Sequence, residues 1–180
     1  MARLLILVLG LLFAGCSTPS GTTSGDVAGL TRAIQNLSPD VDPQEAARAA
    51  QIAHDYALQL RAEYRVTDPA IIHNAKVING FRERGLCNDW AEDILKRLRK
   101  ENFRTLDLHW ITSPPKTFRI IHHSAAISAR GDSMKDAIVL DGWRYGGDLY
   151  WAPVSQDTRY NWRPRMEVRA ELLAKSQSAE

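Results

Sequence analysis

Three kinds of side chain in this sequence could do covalent chemistry together. Cys87 stands in the stretch RGLCNDWAEDILKRLRK, Arg84 to Lys100, where acidic residues come first and basic residues last. That gradient complements a helix macrodipole and sets Cys87 at or near a helix start. Partial positive charge there favours a thiolate, the form of cysteine that attacks carbonyl carbon. Arg82 and Arg84 just before it add to the effect, while Asp89 opposes it unless its carboxylate caps the helix. A thiol nucleophile also needs a base and a group that orients the base. Histidines stand at 122 and 123, and Asp141 lies in IVLDGW.

The compartment makes this thiol unusual. The chain opens MARLLILVLGLLFAGCSTPSGTTSG, with a basic Arg3 and an apolar run at 4–15. That run is too short for a permanent span and suits a signal peptide. It ends Phe13-Ala14-Gly15-Cys16, which resembles the bacterial lipobox. The resemblance implies that residues 1–15 are a lipoprotein signal peptide and that Cys16 becomes a lipid-modified N-terminus, carrying palmitate-type acyl chains. Ser17, a non-Asp residue after the cysteine, implies sorting to the outer membrane, facing the periplasm, with the lipid on Cys16 as the membrane partner. Residues 16–26 read as a flexible tether. The chain has two cysteines, so an acylated Cys16 leaves Cys87 without a disulfide partner. A lone thiol in an oxidising compartment is either inert through burial or kept for reactivity.

The remaining 27–180 form one domain-sized segment. Of the chain's 180 residues, 23 are Lys or Arg and 21 Asp or Glu, for a net charge of +2. The signs are mixed and no basic stripe carries interleaved aromatics, which argues against a nucleic-acid partner.

Helical spacing dominates up to Lys100. Asp42-Pro43 starts one helix, whose apolar face is Ala46, Ala50, Ala53, Ala57, Leu60 and Tyr64. Asp68-Pro69 starts another, for which Ile71, Ala75, Ile78 and Phe81 are expected to be the packed face. Ala91, Ile94, Leu95 and Leu98 give the Cys87 helix its buried side. After Asn102 the pattern becomes strand-like. Strands are expected in FRTLDLHWIT, TFRIIHHSAAISAR, DAIVLDGWRY and DLYWAPV, separated by Pro114-Pro115, Gly131-Asp132 and Gly146-Gly147. Helices followed by consecutive antiparallel strands predict an α+β fold, N-terminal helices packed on a C-terminal sheet. A hairpin closed at ARGDSMKD would bring Asp141 beside one of the two histidines, whose side chains point to opposite faces of their strand. The spacing alone does not choose between them.

The order of helix-start cysteine, strand histidine and next-strand aspartate resembles the papain-like and transglutaminase-like cysteine enzymes. The segments that carry the resemblance are GLCNDWAEDIL, HHSAAIS and IVLDGWRYGGDLYW. More narrowly, the chain is similar over Ile71 to Val154 to uncharacterised proteobacterial proteins with a pattern near RGLC…W, His-(Asn/Ser)-apolar and Leu-Asp-(Pro/Gly)-Trp-Arg. That pattern implies Cys87 as nucleophile, His123 (followed by Ser124) as base and Asp141 as orienting group. The Gln that papain-like enzymes carry shortly before the cysteine is missing here; Asn79, with Asn74 behind it, is the side-chain amide available as oxyanion donor. The resemblance implies a peptide or protein substrate, hydrolysis or acyl transfer at an amide bond, and no cofactor. Zinc held by Cys87, His123 and Asp141 is disfavoured by a spacing that matches no compact zinc motif. A non-catalytic binding or structural lipoprotein on the same fold stands as the second function class. Nothing in the sequence sets the oligomeric state.

Overall fold

The computed structural model describes residues 26–117 and 119–178. The signal-peptide reading of 1–15, the lipidation of Cys16 and nearly all of the tether lie outside these residues.

The described chain is α+β. Helices α1 (Val27–Gln35), α2 (Pro43–Glu63), α3 (Ala70–Ile78) and α4 (Cys87–Arg99) precede strands β1 (Leu106–Ser113), β2 (His122–Ala129), β3 (Ile138–Asp141) and β4 (Tyr150–Pro153). A short β5 (Arg163–Pro164) and helix α5 (Arg165–Gln177) follow. The sheet order is β4-β3-β2-β1-β5, with neighbours antiparallel. Helix α1, with Asp26 as its N-cap, and the β5–α5 segment are additions to what periodicity suggested. Among the described residues no helix is long and apolar enough to cross a membrane.

Local chemistry accounts for the main elements. The Asp42 carboxylate accepts from the N–H groups of Gln44 and Glu45, and Pro43 occupies the first turn, as its fixed φ allows. The alanine face of α2 is fully buried, so α1 and α4 approach closely. Glu45 is buried and accepts from the backbone N–H groups of Arg104 and Thr105 and from the Thr105 hydroxyl, which ties the α4–β1 connection to the start of α2. Helix α4 lies between α2 and the sheet, against β2 and β1.

Strand β2 is central and buried on both faces apart from His123. Its small residues let α4 pack on one side with Ala125 and Ile127. On the other side Ala126 joins Ile111, Met134, Val139 and Trp162. The strand is therefore covered on both sides.

Helix α3 departs from expectation. The predicted packed face is exposed: Ile71 is 58%, Ile78 75% and Phe81 73% accessible. The helix buries Ala70, His73 and Asn74 instead. These polar side chains find partners inside the molecule: Asn74 takes the Trp143 indole N–H and His73 takes the Arg84 carbonyl. Those two bonds orient the helix against its own apolar stripe.

Candidate active site

Cys87 is the first residue of α4. The turn before it is built by Asp89, whose carboxylate accepts from the N–H groups of Gly85 and Leu86 at 2.9 Å each. Asp89 thus spends its charge capping the helix. Gly85 has φ +121°, a region open to glycine, and a Cβ there would stand 2.3 Å from Nε2 of His73. That same Nε2–H donates to the Arg84 carbonyl at 3.0 Å, so His73 fills the space beneath the turn that presents the thiol. The Trp90 indole N–H donates to the Gly85 carbonyl at 3.1 Å and closes the turn from the helix side. Gly85→Ala is therefore expected to destabilise the fold by about 2 kcal/mol or more. Urea unfolding of Gly85→Ala and of Gly85→Ala with His73→Ala should show partial recovery in the double variant, since it relieves the clash and keeps the backbone strain.

The base is set by the parity of β2. The β2–β3 register pairs Ala125 with Leu140 and Ala126 with Val139. Continued by one step, it sets Asp141 opposite Ser124, on the face that His122 shares and diagonal to it. Accordingly Nε2 of His122 meets Oδ2 of Asp141 at 2.7 Å, with both side chains 1% exposed. The expectation that His123 partners Asp141 is corrected. His123 points to the opposite face, where its Nδ1 accepts from the Trp110 indole N–H at 3.2 Å and from the Thr112 hydroxyl at 2.8 Å.

The His122 ring is enclosed by Trp143, Tyr160 and Trp162, with centroids 4.7, 4.5 and 5.4 Å away. Its Nδ1 is buried and has no hydrogen-bond partner among the described residues. Burial pushes its pKa down, but Asp141 first and then the nearby Cys87 outweigh that and raise it to about 9. His123 goes the other way. Burial, then the Arg165 and His122 cations, hold its pKa down to about 4, so at neutral pH it carries no charge.

Asp141 is itself held from behind. Its Oδ1 accepts from the N–H groups of Trp143 and Arg144, and its Oδ2 accepts from Arg144 Nε at 3.1 Å. The rest of the Arg144 guanidinium grips Asp157 at 2.6 and 3.2 Å, and the Trp162 indole N–H donates to the same carboxylate. Tyr150 lies under the guanidinium at 3.7 Å. Burial pushes the Asp141 carboxyl up; the His122 and Arg144 cations outweigh it and keep it below the ordinary carboxylate range. With His122 protonated, two anions and two cations balance in a dry cluster, which such charges require. Gly142 lets this turn press on α4: a Cβ there would stand 2.6 Å from the Trp90 ring.

The elevated proton affinity of His122 has a stability consequence. Its pKa of about 9 lies above the roughly 6.5 of an unfolded histidine, so its contribution is complete below about pH 6.5. It disappears as pH rises through about 9, a loss of about 3 kcal/mol. Urea midpoints between pH 6.5 and 9.5 should fall for the parent and show a flatter profile in His122→Asn; parallel profiles would contradict the assignment.

The oxyanion expectation changes as well. Asn79 is exposed and its Nδ2 donates to the Ala75 carbonyl at 2.7 Å, closing its own helix. Asn74 is buried, and the Trp143 indole, a donor only, fixes its Oδ1 as acceptor at 2.9 Å. Its NH2 group has no acceptor among the described residues. Asn74 thus bonds to one of the rings that enclose His122, and Asn79 does not.

The structure brings Cys87 and Asp141 to His122 and leaves His123 and Asn79 apart. Arg144 could have been noticed from its place three residues after Asp141; Asp157, Tyr160 and Trp162 carried no local signal. Among the described residues no group of three or more His, Cys, Asp or Glu is placed to hold a metal ion. Comparison with protein-family models, with curated proteins and with solved structures finds no match to this chain.

Proposed function

We propose that this chain is a cell-envelope thiol enzyme of papain-like or transglutaminase-like core, acting on amide bonds through Cys87, His122 and Asp141. The observation that carries the reading is the buried His122, held by Asp141 at 2.7 Å through Nε2 and free at Nδ1, with the Cys87 thiol nearby. The Cys87 sulfur lies 3.8 Å from the Ile121 carbonyl, a weak contact that is readily given up. His122 is the proton-bearing partner of the pair, and Cys87 reacts as a thiolate at a helix start. The thiolate attacks the amide carbonyl, and the Cys87 backbone N–H at the helix start is the donor suited to the oxyanion. His122 then protonates the leaving amine, and water or a second amine resolves the thioester. Arg144 and Asp157 hold Asp141 in place throughout.

The test is release of a fluorescent amine from a pool of peptidyl amides by parent and Cys87→Ser protein. Release that survives the substitution would remove the reading. So would an inert pool combined with no modification of Cys87 by a peptidyl electrophile. A second reading, a non-catalytic binding or structural lipoprotein, draws on burial: Cys87 is 5% and His122 1% exposed, and that reading expects the second outcome.

The anchor is part of the proposal. The lipobox-like 13–16 segment and the polar stretch after it support an acylated Cys16 and an outer-membrane, periplasm-facing location. Cys16→Ser is expected to move the protein out of the membrane fraction or leave it unprocessed; unchanged processing and membrane retention would refute the anchor.

A further inference from the structure

Beside the thiol, on the face of β2 opposite to His122, a cavity of about 290 Å³ opens between α5 and the ends of β1 and β2. At ~30 Å³ per water it equals about ten waters, room for one amino-acid residue and far less than a folded partner needs. Ile121, Val168, Leu172 and Leu173 are its apolar lining, and Thr112 and His123 line it beside them. Its position relative to the chemistry is fixed by Ile121, which lines the cavity and whose carbonyl receives the Cys87 thiol at 3.8 Å. The cavity and the nucleophile therefore flank the same residue, Ile121.

The charges around it are unbalanced. Arg165 and Arg169 line the cavity, and among the described residues neither pairs with a carboxylate. The carboxylates of α5 are committed elsewhere: Glu167 and Glu171 pair with Arg163, and Glu171 also with Lys175. Arg165 is held flat on the Trp110 ring at 3.8 Å, a stacking that fixes the guanidinium and leaves its edge available to an anion. The local field is positive enough to help keep a proton off His123. An apolar slot with two unpaired guanidinium groups suits an apolar residue bearing a carboxylate.

We propose that this cavity is the subsite for the C-terminal residue of a peptide substrate. Its apolar side chain sits among Ile121, Val168, Leu172 and Leu173, and its free carboxylate meets Arg165 and Arg169. The inference rests on the thiol-enzyme reading and makes the enzyme a carboxypeptidase. Cys87 sulfur bonds to the carbonyl carbon of the penultimate residue, and the C–N bond to the last residue breaks. The departing amine takes the proton held on His122 and leaves as a free amino acid. Water then adds to the thioester, returns a proton to His122, and the C–S bond breaks to restore Cys87 and release the shortened peptide.

The test uses the full-length chain carrying Cys87→Ala, so that binding is read apart from chemistry. Calorimetric titrations with N-acetyl-leucine, N-acetyl-leucinamide, N-acetylglycine and octanoate are compared. N-acetyl-leucine is expected to bind about tenfold or more tightly than either its amide or the glycine analogue. Joint substitution Arg165→Gln and Arg169→Gln is expected to bring it down to the level of the amide. Equal binding of acid and amide, or no saturable binding of the acid, overturns the subsite, and tighter binding of octanoate replaces it with a lipid-carboxylate site. In the Cys87-bearing chain, peptides ending in a free leucine should be shortened by one residue while the amidated peptides stay intact. Failure of the titrations leaves the thiol chemistry standing. Failure of Cys87 to react with amides or peptidyl electrophiles leaves the subsite standing as a binding site.

Discussion

Replacing His122 with alanine is expected to abolish amide turnover, a loss of about 10³-fold or more, because the ring that pairs with the ionised sulfur also supplies the proton to the leaving amine. The readout that needs no substrate is alkylation of Cys87 by iodoacetamide. A cysteine of ordinary pKa, about 8.5, is only ~3% thiolate at pH 7, so loss of an ion-paired partner slows alkylation there by up to about 30-fold. The rate should recover as pH rises toward 9.5, where an unassisted thiol ionises by itself. His123→Ala is expected to change the alkylation rate by no more than about twofold, since that ring faces Trp110 and Thr112 across the strand. The two histidines are adjacent in sequence and comparable in size, which makes each the control for the other. Equal slowing by both, or by neither, would remove the Cys87–His122 pair and with it the enzyme reading.

Removing the Asp141 carboxylate is expected to have the largest effect on stability. Asp141 is 1% exposed and is the shared counter-ion of His122 and Arg144. Asp141→Ala leaves two cations facing a single anion, Asp157, in a site buried from solvent. Breaking a buried pair in this way costs about 3–5 kcal/mol. Asp141→Asn keeps the shape and an acceptor for the N–H groups of Trp143 and Arg144. It should therefore lose less stability while still losing turnover by about 10³- to 10⁴-fold, because His122 is no longer held protonated and oriented. Denaturation at pH 7 separates the two variants, and Cys87 alkylation rates test whether the asparagine protein retains the pair. If Asp141→Asn unfolds as easily as Asp141→Ala, the cost lies in geometry and not in charge. If it alkylates at the parent rate, Asp141 does not orient the base.

Much of the fold was legible in the chain. The Asp42-Pro43 start of α2, the alanine spacing along it and the charge gradient of α4 are local properties. They depend on backbone capping and side-chain period within one element. The four longer strands, β1 to β4, were equally visible between their Gly and Pro breaks. Helix α3 misled because its most apolar stripe, Ile71, Ala75, Ile78 and Phe81, is the exposed one. The choice there was made by two polar bonds, from His73 to Arg84 and from Trp143 to Asn74, which join distant segments.

The site divides in the same way. The residues alone determined that a lone thiol stands at a helix start, that Asp89 is placed to cap it, and that histidine and aspartate follow on neighbouring strands. They also determined that His122 and His123 point to opposite faces. Which face carries the chemistry depended on the β2–β3 register, and a one-residue slip in register exchanges the two histidines. The motif pattern favoured His123; the pairing of Ala125 with Leu140 sets Asp141 beside His122 instead. Arg144 and Asp157, the aromatic ring of Trp143, Tyr160 and Trp162, and the cavity under α5 were decided only by tertiary structure. Each joins residues that no single helix or strand holds together, and a buried charge is stable only where its partners are already in place.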